Sequence, residues 1–133
     1  MTPALAPTIS VRVKTPDGTL FVHVLEDERK LPEEILLNIG KSGFSLQAWA
    51  NALARVASLA LRRGVSLREI AHEVSGITTD RSVRAQNGVT IRSGPEGLAH
   101  GLLQYLRHDE SPRREDDDGD EGTFRPARFR HLE

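Results

Sequence analysis

The hydrophobic period of this chain changes at Gly40-Lys41-Ser42-Gly43, and that break constrains the fold more than any other feature. Before it, Ile9, Val11 and Val13 alternate with Ser10, Arg12 and Lys14, the period of two that a half-buried strand requires. Thr15-Pro16-Asp17-Gly18 follows with proline and glycine placed as in a tight turn. Leu20 to Leu25 reads as a second strand, so the two form a hairpin whose register the almost wholly apolar second strand leaves open. Glu26 to Glu34 is a charged loop, and Glu34 to Ile39 is a third short strand.

After the break the period is helical. Leu46, Trp49, Leu53, Val56, Ala57 and Leu61 recur at three- and four-residue steps and predict the buried face of a helix rich in alanine. Arg62 and Arg63 oppose the helix dipole in its last turn, and Gly64 supplies a left-handed stop. Ser66 and Glu69 form a capping box that starts a second helix, with Val65 and Ile70 as its hydrophobic staple and Gly76 as its end. Residues 77–92 are poorly patterned, although Asn87-Gly88 between Val83 and Val89/Ile91 has the chemistry of a hairpin turn. Ser93 and Glu96 repeat the capping-box spacing and open a third helix whose buried face is Leu98, Leu102, Tyr105 and Leu106. Strands followed by helices give an α+β domain: a small three-stranded antiparallel sheet, then two to three packed helices.

A length of 133 residues fits one such domain. Charge marks its end. Residues 1–110 carry 13 Lys and Arg against 12 Asp and Glu, whereas 111–133 carry 5 against 7 and place six acids between Glu115 and Glu121. With almost no aliphatic residue, this stretch buries too little surface to offset its ordering entropy, so 111–133 is expected to be a flexible, acidic-then-basic tail. Its sharper feature is Phe124, Arg125, Arg128 and Phe129, a short motif suited to an acidic, apolar groove on a partner; the acids alternatively mimic a phosphate backbone.

Several function classes fall away. The chain has no cysteine, which removes disulfides, thiol redox chemistry, a cysteine nucleophile and thiolate zinc sites. No apolar run approaches the roughly 20 residues of a membrane span, and the start lacks the basic and apolar regions of a secretory signal, so a cytoplasmic location is expected. A formal charge of −1 gives no bias toward nucleic acid or anionic membrane. Gly40-Lys41-Ser42 resembles the end of a phosphate loop, but Ile35 stands where that motif needs glycine. What survives is a glycine turn, Gly40, Lys41, Ser42 and Gly43, able to hold one anion, with Arg62 and Arg63 as further candidates for a nucleotide or nucleic acid. Arg55, Arg68, Arg81, Arg84 and Arg92 extend that set if the fold gathers them on one face. His23, His72, His100, His108 and His131 show no metal-ligand spacing. No nucleophile elbow occurs, and Glu26/Asp27/Glu28 and Glu33/Glu34 read as solvated charge. The expectation is therefore a protein that is not an enzyme and holds neither metal nor cofactor.

Ile39-Gly40-Lys41-Ser42-Gly43, the stretch from Ala52 to Val65, Ile70 to Ile77, and Ser93-Gly94-Pro95-Glu96 leading a helix resemble, in that order, the TSCPD domain. The resemblance spans roughly residues 12–107. That domain is similar to the C-terminal region of adenosylcobalamin-dependent ribonucleotide reductases and also occurs alone. Its Thr-Ser-Cys-Pro-Asp motif corresponds to Arg92-Ser93-Gly94-Pro95-Glu96, so Gly94 stands in place of the cysteine. The resemblance implies further cysteines in the first hairpin turn and after the second helix, where this chain has Pro16-Asp17-Gly18 and Ile77-Thr78-Thr79-Asp80. The scaffold is kept and a thiol or metal role is not. The resemblance thus implies a non-catalytic accessory module that binds a protein, linked to ribonucleotide reductase or nucleotide metabolism, or a second copy of itself as a homodimer. The alternative is a nucleotide- or nucleic-acid-binding protein that uses Lys41 and the helix-end arginines.

Overall fold

The computed structural model describes residues 8–40, 43–85 and 88–114. The N-terminal alternation builds strand β1 (Thr8–Thr15), which pairs antiparallel with β2 (Gly18–Glu26), and β2 pairs in turn with β3 (Pro32–Ile39). The register sets Val13 opposite Leu20, Val22 opposite Leu37 and Val24 opposite Ile35. These six side chains form one buried face. The turn depends on Gly18, whose φ of 125° is open to few other residues and whose Cα lies too close to the Gly40 carbonyl to carry a side chain easily. The same alternation carries Glu26 inward. It is buried, and the Tyr105 hydroxyl donates a hydrogen bond to its carboxylate, so Glu26 is a core residue rather than the solvated loop charge expected.

Helix α1 (Phe44–Arg62) follows the glycine turn. Its buried residues are Ala50, Ala54, Ala57 and Ser58, whereas Trp49 and Val56 are 72% and 64% exposed. The predicted face is therefore corrected by roughly a quarter turn of the helix. The reason is backbone proximity: small side chains let α1 approach the sheet closely enough to finish its edge. The Ser58 hydroxyl accepts the Ile35 N–H at 2.9 Å and donates to the Ile35 carbonyl at 3.1 Å. The Gln47 amide accepts from Ile39 N–H at 2.9 Å and donates to the Leu37 carbonyl at 3.0 Å. These are among the main-chain groups of β3 that point away from β2, and helix side chains serve them in the manner of a fourth strand.

The end of α1 is a Schellman motif. Gly64, at φ 95°, donates to the Leu61 carbonyl, and Val65 donates to that of Ala60. Ser66 then caps α2 (Leu67–Val74) by accepting the Glu69 N–H at 3.0 Å. A small hairpin joins β4 (Val83–Arg84) to β5 (Thr90–Ile91), with Val83 opposite Ile91 and Gly88 at φ 86°, as its turn chemistry predicts. Helix α3 (Gly94–Arg114) extends four residues beyond the expected boundary at Glu110. Leu98, Leu102, Tyr105 and Leu106 are buried as the periodicity requires. Gly97 and Gly101 let α3 lie against β1 and β2, because a Cβ at either position would meet Thr15 Cγ2 at 2.5 Å or Val22 Cγ2 at 2.9 Å. Among the described residues no helix is long and apolar enough to cross a membrane.

Two stability measurements test this packing. Ser58→Ala leaves the buried N–H of Ile35 without its partner and is expected to cost about 1–3 kcal/mol in urea unfolding. Gly97→Ala raises helix propensity, yet it should lower stability by about 1–3 kcal/mol through overpacking against Thr15, seen as a fall in melting temperature.

Candidate functional site

Three stretches far apart in sequence meet at the N-terminus of α3. From the β1–β2 turn, Asp17 Oδ2 accepts the Gly94 N–H at 2.9 Å. From the segment after α2, the Ile77 carbonyl accepts the Ser93 hydroxyl at 2.5 Å, and both the N–H and the hydroxyl of Thr79 donate to the Arg92 carbonyl. Arg81 reaches back to the Pro16 carbonyl at 3.3 Å. Ser93 caps α3 by accepting the Glu96 N–H at 3.0 Å. Glu96, in turn, accepts the main-chain N–H of Arg92 at 2.8 Å, the Arg92 guanidinium at 3.0 and 2.7 Å, and the Gly76 N–H at 3.2 Å. The bond from the Arg92 guanidinium is the main reason the Glu96 carboxyl is held down to about 2; burial opposes it only partly.

These three stretches are the ones at which the resemblance implies cysteines. Here they are joined by a carboxylate, hydroxyls and main-chain groups. A Cβ added at Gly94 would sit 3.0 Å from Asp17 Oδ2, so the carboxylate occupies the room that a side chain at 94 would enter. Among the described residues no three His, Asp or Glu side chains are placed to hold a metal ion.

Beside this junction lies a cleft of about 280 Å³ between β1, β4 and α3. Arg12 and Lys14 from β1, Arg84 from β4, and His100 and Gln104 from α3 line it. No carboxylate does so among the described residues. Burial, and then the charge of Arg107, push His100 below its ordinary value, while Glu96 acts in the opposite sense.

A different surface is apolar. Trp49, Val56 and Leu59 are exposed on α1, and Leu53, Val56 and Ala60 form one wall of a groove whose other wall is α2 with Ile70, Glu69 and Glu73.

The model of the TSCPD domain matches residues 3–106, most of the chain and nearly all of its described part. The chain belongs to the TSCPD domain family. No curated protein and no solved structure matches it. Within this TSCPD domain the residues singled out from sequence are scattered. Gly40 donates to the Thr19 carbonyl, and Gly43 stands at the start of α1 without a capping side chain. Arg62 and Arg63 lie at the other end of the same helix, about 28 Å away at 1.5 Å per residue. Gly43 is thus a full helix length from Arg62 and Arg63. Lys41 and Ser42 lie outside the described residues, as do Phe124, Arg125, Arg128 and Phe129. Of the remaining arginines, Arg55 lies with Arg62 along a groove by β3, Arg81 and Arg92 are tied into the junction, and Arg84 enters the cleft.

Sequence reasoning passed over Arg12, Lys14, Asp17 and Gln104. Arg12 and Lys14 are alternate residues of one strand, and His100 and Gln104 are one helical turn apart, so each pair shares a face. Nothing local says that this strand and this helix adjoin.

The ion pair of the junction has a pH signature. Glu96 ionises more readily in the folded chain than at its ordinary value of 4.5, so its stabilisation is complete above that pH and is lost as pH falls toward about 2. Glu96→Gln should be less stable than the parent at neutral pH, with the two unfolding free energies converging between pH 4.5 and about 2.

Proposed function

We propose that this TSCPD domain is a non-catalytic accessory module that acts by contact with another protein through the outer flank of α1. The observation that carries this reading is the exposure of Trp49 at 72% beside Val56 at 64%, on a surface that continues into the apolar groove against α2. Burying a tryptophan and its aliphatic neighbours on association removes a large apolar area from water, and such anchors dominate interfaces. The simplest partner is a second copy, since two identical helix flanks pair about a twofold axis. Family likeness adds a ribonucleotide reductase, or another enzyme of nucleotide metabolism in the cytoplasm, as the larger assembly that such a module would serve. The homodimer does not draw on the edge of β3, which Gln47 and Ser58 already serve.

Trp49 is the only tryptophan, so its emission reports on this face directly. Light scattering should give twice the chain mass at micromolar concentration, with Trp49 emission shifting to the blue as concentration rises. Val56→Glu should restore a monomer with red-shifted emission while leaving the circular dichroism unchanged. A monomer of concentration-independent emission that also fails to retain a purified ribonucleotide reductase would remove the reading.

A further inference from the structure

Alternation gives the three-stranded sheet two faces, and the helices pack on one of them. Val13 and Val22 point toward α3, whose Gly101 lies against both. Arg12 and Lys14 of β1, Phe21 and His23 of β2, and Leu36 and Asn38 of β3 therefore leave the sheet on the opposite face. The register aligns them in rows: Arg12 beside Phe21 beside Asn38, then Ser10 beside His23 beside Leu36. Among the described residues no helix lies over this face. Helix α3 packs against β1 and β2 from the other side, and α1 runs along the edge of β3. Phe21 and His23 are half-buried in the middle of the open face, and Leu36 is 45% exposed. A bond of 2.7 Å between Ser10 Oγ and His23 Nδ1 holds the imidazole in place.

Beyond β3 this face continues into a groove of about 1070 Å³ beside α1. Asn51 and Arg55, one helical turn apart, line it together with His23, Leu36 and Asn38. Helix α1 runs antiparallel to β3, because Gln47 meets Ile39 and Ser58 meets Ile35. Arg62 therefore falls toward the end of the groove lined by Glu34, whose charge opposes its own. What remains is a strip of ring side chains with cations on both sides, Arg12 and Lys14 on β1 and Arg55 on α1. None of these three forms an ion pair among the described residues, where the salt bridge present joins Arg92 to Glu96. Chemistry of this kind selects its occupant. Flanking cations call for a polyanion, and rings between them call for flat groups to stack on. An acidic peptide meets only the first demand. A double helix keeps the faces of its bases inside its own stack, so it too leaves Phe21 without a partner. A single strand meets both, since its bases splay away from the phosphates and lie flat on an open sheet.

We propose that the uncovered face of the sheet binds single-stranded nucleic acid. Bases stack on Phe21 and His23, Arg12 and Lys14 hold phosphates on one side, and Arg55 holds them on the other. The amides of Asn38 and Asn51 reach the base edges, as groups that both donate and accept. This surface shares no lining residue with the apolar groove between α1 and α2, and Trp49 stands on the far side of α1 from Asn51. The test is fluorescence anisotropy of the full chain with labelled ten-nucleotide oligo-dT and oligo-U at several salt concentrations. Binding should saturate, and the logarithm of affinity should fall with that of salt at a slope of about −2, as three phosphate contacts to a single strand imply. Arg12→Ala/Lys14→Ala, at exposed positions, should weaken binding more than tenfold and flatten the slope to about −0.7. Phe21→Leu keeps an apolar side chain and removes the ring. With an unchanged circular dichroism spectrum, it should weaken binding about tenfold and leave the slope as it was. Arg63→Ala should change neither, and Trp49 emission should not move as the oligonucleotide binds. Absence of saturable binding overturns the proposal, as does binding indifferent to both Arg12→Ala/Lys14→Ala and Phe21→Leu. Displacement of the labelled strand by equal amounts of duplex DNA or polyglutamate overturns it as well.

Discussion

A three-stranded sheet has two edges, and the fate of one of them organises this molecule. Four outward main-chain groups of β3, the N–H and C=O of Ile35, the C=O of Leu37 and the N–H of Ile39, are met by Ser58 and Gln47, so α1 is fixed to the sheet by directional bonds as well as by burial. Ser58 lies inside, where an unsatisfied amide costs more than the net gain of an ordinary surface bond. The requirement that these two polar side chains reach β3 sets the rotation of α1. Alanines at 50, 54 and 57 then fill the narrow space that remains.

That rotation also decides what the outside of the molecule looks like. If α1 turned its largest apolar residues inward, Trp49 and Val56 would enlarge the core and the surface would be unremarkably polar. Instead the helix uses its small residues for packing and leaves its large ones in water beside α2. A cost of this kind is tolerated in solution when something else covers the surface.

Most of the architecture is legible in the residues. Alternation from Ile9, the Pro16-Asp17-Gly18 turn, the capping serines 66 and 93, and the glycines at 64 and 88 each act locally, and each appears in the structure where local chemistry puts it. The failures share a different cause. The roll of α1 depends on Ser58 meeting a strand 23 positions earlier, and the burial of Glu26 depends on Tyr105, 79 positions away. The candidate surfaces fail in the same way. Arg12 and Gln104 are ordinary polar residues until β1 and α3 are laid side by side, and Asp17 is an ordinary turn residue until Gly94 is brought to it.

Gly97 and Gly101 carry a meaning beyond packing. Because α3 touches β1 and β2 through backbone at those two positions, the separation of helix and strand is at its minimum and has no slack to take up. His100 and Gln104 come from the turns beside those glycines, and Val13 from the strand beneath, so the glycines act as a gauge that sets the gap between the two walls. An alanine at either glycine would then press on Val13 as well as on the strands beneath, and would widen the cleft that Val13 lines.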